Sequence, residues 1–197
     1  MYVRKPYIVE FTGTPEAGKT TVINILFEKL KKMGYNVKLY QESAEIIPKE
    51  FPKGSLEAKL WMNFETAKHI LEAQYLLEYD IILFDRGAFD RIFWTYLDLV
   101  NNSEIGYKVS ILDEFFKEHP SNFLMAFCVS IDEAIRRRGG EGRVVTKEFL
   151  ANYNTLFQNF LDTLETSKFI VNTTDKTIKE VVEIVTNAIL ENIKSHS

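Results

Sequence analysis

Residues 13–20 read Gly-Thr-Pro-Glu-Ala-Gly-Lys-Thr, which satisfies G-x4-G-K-[ST] at every defined position. The chemistry open to such a string is phosphate binding. Its glycines let the backbone curl so that N–H groups face phosphate oxygens, and a following helix adds the positive end of its dipole. The expected phosphate-binding set is Gly13, Thr14, Pro15, Glu16, Ala17, Gly18, Lys19, Thr20 and Thr21. Lys19 is the expected partner of the terminal phosphates of a nucleoside triphosphate, and the Thr20 hydroxyl is a ligand for Mg²⁺. Glu16 adds negative charge beside phosphate, for which the sequence offers no physical account.

Two further groups have reactive composition. Asp80-Ile-Ile-Leu-Phe-Asp85-Arg86-Gly87 places an acid and a base at the end of an apolar run. Asp85 suits a metal or its water shell, and Arg86 suits a transferring phosphoryl group. A surface ion pair at a strand end is the bland alternative. Asp90 and Arg91 follow, either lining a crevice or capping a helix. The second group is Arg136-Arg-Arg-Gly-Gly-Glu-Gly-Arg143, which holds four of the chain's seven arginines among three glycines. Guanidinium groups match phosphate oxygens in pairs, and glycines let a loop fold over a ligand. Arg136, Arg138 and Arg143 are the expected contacts within a lid spanning about residues 136–146. The alternative is a solvated basic helix end.

These residues need elements to position them. Tyr7–Thr12, Asn36–Tyr40, Ile81–Asp85, Phe123–Ser130 and Lys168–Asn172 are short and continuously apolar, as strands buried on both faces are. Helical periodicity marks Lys19–Met33, Leu56–Tyr79, Tyr107–Glu118, Lys147–Leu164 and Ile178–Ile193, with Gly34 as a stop and Thr177 with Glu180 as a capping box. The alternation predicts an α/β three-layer sandwich around a mostly parallel sheet. Length, at 197 residues, favours one domain over 1–197. A net charge of -4 argues against general nucleic-acid binding. One cysteine, Cys128, and no long apolar run point to a reducing, cytoplasmic setting without a membrane anchor.

The phosphate loop, the Asp–Arg after the third strand and the arginine-rich stretch, in this order and spacing, resemble the nucleoside and nucleotide monophosphate kinase group. Deoxynucleoside kinases and thymidylate kinases are the members most similar. The resemblance implies the P-loop nucleoside triphosphate hydrolase fold with a five-stranded parallel sheet and an Arg-rich lid, ATP with Mg²⁺ as donor, and often a homodimer. It also implies that Glu42, just after the second strand, is the general base on the acceptor hydroxyl, and that Asn172–Asp175 lies beside the adenine. Two positions depart from the pattern. No arginine occurs between Arg4 and Arg86 to serve an acceptor phosphate, which leaves Lys49, Lys53, Lys59 and Lys68 as substitutes, and Gly87 stands where nucleoside kinases usually carry serine. The implied acceptor is a nucleoside or nucleoside monophosphate. Its pocket is expected from Ser43–Phe64 and Phe89–Tyr96, with Trp61, Asn63, Phe64, Phe89 and Trp94 as candidate contacts. Another small alcohol as acceptor, or a nucleotide-dependent switch, are the rival readings.

Overall fold

The computed structural model describes residues 5–138 and 146–195. Five strands, β1 (Tyr7–Gly13), β2 (Val37–Tyr40), β3 (Ile81–Asp85), β4 (Phe123–Cys128) and β5 (Lys168–Asn172), form one parallel sheet in the order β2-β3-β1-β4-β5. Among the described residues eight helices connect or flank them: α1 (Lys19–Lys32), α2 (Leu56–Ala73), α3 (Ala88–Val100), α4 (Glu104–Val109), α5 (Asp113–Glu118), α6 (Ile131–Arg138), α7 (Lys147–Thr163) and α8 (Ile178–Ser195). No helix among the described residues is long and apolar enough to cross a membrane.

The period of two along each strand divides the core into layers. Val9, Phe11, Ile81, Leu83, Phe123, Met125 and Phe127 face α1 and α8, where they meet Val22, Leu26, Val185 and Ile189. The alternate residues face the other way. Leu124 and Ala126 pack on Phe93, Tyr153 and Phe157 of α3 and α7, and Ile82 and Phe84 pack on Ile70 and Phe116. On β1 this second face carries Glu10 and Thr12, both fully buried. A polar pair in the middle of a sheet needs partners, and α3 provides them.

Strand expectations and structure agree closely, whereas three helical stretches differ. Leu56–Tyr79 stops at Ala73, and Tyr75 and Leu77 beyond it are exposed. Tyr107–Glu118 is broken by a 3₁₀ turn at Ser110–Leu112. Helix α3 opens at Gly87 without a side-chain cap of its own, so it lacks the usual sequence signal for a helix start. The Thr177–Glu180 box is present: Thr177 N–H donates to Glu180 Oε2 at 2.8 Å, and Glu180 N–H to Thr177 Oγ1 at 3.3 Å.

Candidate active site

The phosphate loop, Asp85, Arg86 and Glu42 gather at the carboxyl edge of the sheet, where ligands of open α/β folds bind. Gly13 turns the chain out of β1 with φ at +136°, and a Cβ there would lie 2.0 Å from the Phe127 carbonyl oxygen. Only glycine fits. Thr14 N–H donates to that same carbonyl at 2.9 Å, which pins the loop to β4. Gly18 adopts the left-handed conformation (φ 83°) and opens α1 without a side-chain cap. The first amides of α1 therefore remain available to an anion. Pro15 contributes no N–H.

Lys19 curls back over the loop, donating to the Gly13 and Thr14 carbonyls at 3.1 Å each. Burial pushes its ammonium down to about 8, and the Arg86 charge adds to the effect. Thr20 donates to Asp85 Oδ2 at 2.7 Å. The other oxygen, Asp85 Oδ1, is buried and has no hydrogen-bond partner among the described residues. Burial raises the Asp85 carboxyl above its ordinary range, and nearby Glu42 adds to this, while the Thr20 bond opposes it.

Arg86 also sits at positive φ, 68°. Its Nη1 donates to Asp90 Oδ1 at 2.7 Å, and its Nε stands 2.7 Å from Glu42 Oε1. The second contact is a charge pairing without the alignment of a hydrogen bond, since no acceptor lies along that N–H. Burial alone would disfavour the Arg86 charge, but Asp90 and Glu42 outweigh it and hold the guanidinium firmly protonated. Asp90, fully buried, also accepts from Thr12 Oγ1 at 2.8 Å and Arg91 Nη2 at 2.8 Å. Burial opposes its charge too, and the two arginines reverse that and lower its carboxyl. Asp90 is thus the hub that holds Arg86 in place. Sequence spacing alone leaves its role open.

The arginines at the end of α6 turn toward the phosphate loop. Arg137 donates to the Glu16 carbonyl at 3.0 Å and the Thr173 carbonyl at 2.7 Å. Arg138 Nη1 donates to Glu16 Oε1 at 3.1 Å, so the acid in the phosphate loop is matched by a base of the arginine cluster. Arg136 is exposed and bonded to Glu133 through Nε (2.6 Å) and Nη2 (2.7 Å). Together with Arg137 and Thr173 it lines a cleft of about 430 Å³ beside Gly18 and Thr21. Arg143, and most of the expected lid, lie outside the described residues. From the other side α7 supports the loop: Tyr153 Oη donates to the Gly13 carbonyl at 3.1 Å, and Thr14 Oγ1 to Asn154 Oδ1 at 2.8 Å.

Two cavities meet here. One, about 450 Å³, is lined by Pro15, Lys19, Thr20, Glu42, Arg86 and Arg138 among others. The second, about 220 Å³ and mostly apolar, is lined by Glu42, Lys59, Met62, Asn63, Arg91 and Trp94 among others. Asn63 and Trp94 are thus where an acceptor pocket was expected. Phe64 instead faces solvent, and Phe89 belongs to the core under α3. Trp61 is not among the lining residues.

Sheet order and phosphate loop are those of the P-loop nucleoside triphosphate hydrolase fold. No family model matches the chain. It is 25% identical, over 197 residues, to a probable thymidylate kinase of Sulfurisphaera tokodaii, covering 96% of this chain and 98% of that protein. Among solved structures it is similar to the M. mycoides deoxyadenosine kinase with products dCMP and dCDP bound, at TM-score 0.69 and 22% identity over 93% of this chain and 99% of that one. The same kinase with bound dCTP gives TM-score 0.66 and 23% identity, with the same coverage. Over nearly its whole length the chain is thus similar to nucleoside and nucleotide kinases, and it shares the fold of the solved ones.

Proposed function

We propose that the protein transfers the γ-phosphoryl group of Mg-ATP to the hydroxyl of a nucleoside. One observation carries this reading: Glu42 and Trp94 line both the phosphate cavity and the apolar cavity. A donor tail in the first and an acceptor in the second would meet at Glu42. Its carboxylate is then the group to take the acceptor proton, and Lys19 and Arg86 hold the charge that develops on the phosphoryl oxygens. Arg138 adds further charge from the end of α6, and Arg136 borders the cleft for the rest of the nucleotide.

The residues present fit a magnesium ion. Asp85 Oδ1 is a buried oxygen without a partner among the described residues, next to the Thr20 hydroxyl. Mg²⁺ takes one or two carboxylates together with phosphate and water oxygens, so Asp85 and Thr20 would hold it. The chemistry such an ion would supply is neutralisation of the charge on the phosphate oxygens.

The charge balance of the apolar cavity favours an acceptor without a phosphate. Lys59 is paired with Asp98, and Arg91 donates to Asp90 at 2.8 Å. The full-length similarity to a probable thymidylate kinase favours a nucleoside monophosphate instead. An assay of ADP release with Mg-ATP against nucleosides, their monophosphates and other small alcohols, with mass spectrometry of the products, decides between them. Phosphorylation of nucleosides is the expected result. Absence of any phosphorylated product across the panel would overturn the reading. We place the protein in the cytoplasm as a single domain acting on small molecules.

A further inference from the structure

Glu10 is a fully buried acid with no part in the contacts described so far. It lies midway along β1, flanked across the sheet by Phe84 of β3 and Leu124 of β4. Its Oε1 accepts from the Asp90 N–H at 2.8 Å, and its Oε2 accepts from the Phe89 N–H at 3.2 Å and from Ser121 Oγ at 3.2 Å. Phe89 and Asp90 are the second and third residues of α3. Their amides are the ones that a helix-capping side chain normally satisfies. The ordinary source of that cap is the residue before the helix, which here is Gly87. A Cβ at position 87 would stand 2.7 Å from Glu10 Oε2. Gly87 has φ -125° and ψ -140°, so its φ is not one reserved for glycine, and the nearest obstacle to a Cβ is the Glu10 carboxylate. The carboxylate fills the place where a local cap would be.

We propose that Glu10 is a positioning residue for phosphoryl transfer, capping α3 from within the sheet and thereby fixing Asp90 and, through it, Arg86. The chain of contacts is continuous. Glu10 holds the Asp90 backbone, the Asp90 carboxylate holds Arg86, and Arg86 reaches the phosphate cavity beside Glu42. This role rests on the kinase reading above, whereas the cap itself does not.

Two sets of variants of the full chain test it. Glu10→Gln keeps the shape but turns an NH₂ group toward one of the amides. Turnover should fall on the order of tenfold to hundredfold through misplacement of Arg86. The KM for ATP should stay within about twofold, because the phosphate loop is held by β4 and α7. Amide hydrogen exchange of residues 87–91, followed by mass spectrometry, should quicken. Gly87→Ser added to Glu10→Ala replaces the remote cap with a local one, since serine is a favoured capping residue. The double variant should regain exchange protection and turnover relative to Glu10→Ala, and a single variant that fails to fold while the double folds counts as the same recovery. Unchanged protection and turnover in Glu10→Gln, or a double variant no better than Glu10→Ala, would overturn the proposal. Exchange is read without any substrate, so a chain that phosphorylates nothing would sink the kinase reading and leave the cap still measurable.

Discussion

Glu42 Oε1 and Arg86 Nε stand 2.7 Å apart at the boundary between the two cavities. The candidate base and the candidate phosphoryl clamp thus neutralise one another across the crevice. Glu42→Gln should lower turnover by about 10²–10⁴-fold, the usual worth of general base catalysis. ATP affinity, measured by calorimetry, should change little. Full activity in that variant would remove Glu42 from the mechanism.

Lys19→Ala removes the ammonium that the loop carbonyls hold over the phosphate site. The expected loss of turnover is about 10²–10³-fold, in keeping with deletion of one charge-stabilising donor. Steady-state kinetics with saturating acceptor measure it. Chelation of magnesium by EDTA should abolish turnover, and added Mg²⁺ should restore it.

Asp90→Ala leaves two buried guanidinium groups, Arg86 and Arg91, without their shared carboxylate. Removing one partner of a buried ion pair costs about 3–5 kcal/mol. Urea unfolding should show a loss of that order, with the slope of free energy against urea unchanged.

Glu10 should also leave a mark on the pH dependence of stability. Burial raises its carboxyl from 4.5 to about 7, helped by the Asp90 charge and opposed by the amides of Asp90, Phe89 and Gly87. Its other close neighbours, Ser121, Phe84 and Leu124, carry no charge. The folded state therefore holds this proton more tightly than the unfolded state does. The resulting stabilisation is complete below about pH 4.5 and is lost as pH rises through about 7. The stability of the parent chain relative to Glu10→Gln should decline across that interval. A constant difference would show that Glu10 titrates normally.

Gly13→Ala should not yield a nucleotide-binding protein. The added carbon meets the Phe127 carbonyl and a backbone angle of +136°, so either the loop or the β1–β4 pairing must give way. Loss of thermal stabilisation by Mg-ATP, which at about 100 times its Kd adds roughly 2.7 kcal/mol in an intact site, reads this out.

The strands and the phosphate loop are legible in the sequence because their causes are local. Continuous apolar runs require two covered faces, and a glycine-framed Gly-Lys-Thr requires a turn. Helix α3 is not legible in the same way, because its cap arrives from β1, across 79 and 80 positions of chain. The only clue is Glu10 itself, one acid inside an apolar strand. Gly87, a departure from the serine usual in nucleoside kinases, has its physical reason in the same place. Glu16 likewise has no local explanation, and its partner Arg138 is 122 positions away. Asp90 looks like an ordinary helix-start acid until Thr12, Arg86 and Arg91 are seen converging on it.

Helices α6 and α7, which precede and follow residues 139–145, both end their longest-range bonds on the phosphate loop. Arg137 and Arg138 reach Glu16, and Tyr153 and Asn154 reach Gly13 and Thr14. A displacement of the loop by an incoming anion would pull on bonds to both helices at once. Asn152, exposed and adjacent to Tyr153, offers a place for an environment-sensitive dye that would report occupancy of the site from outside it.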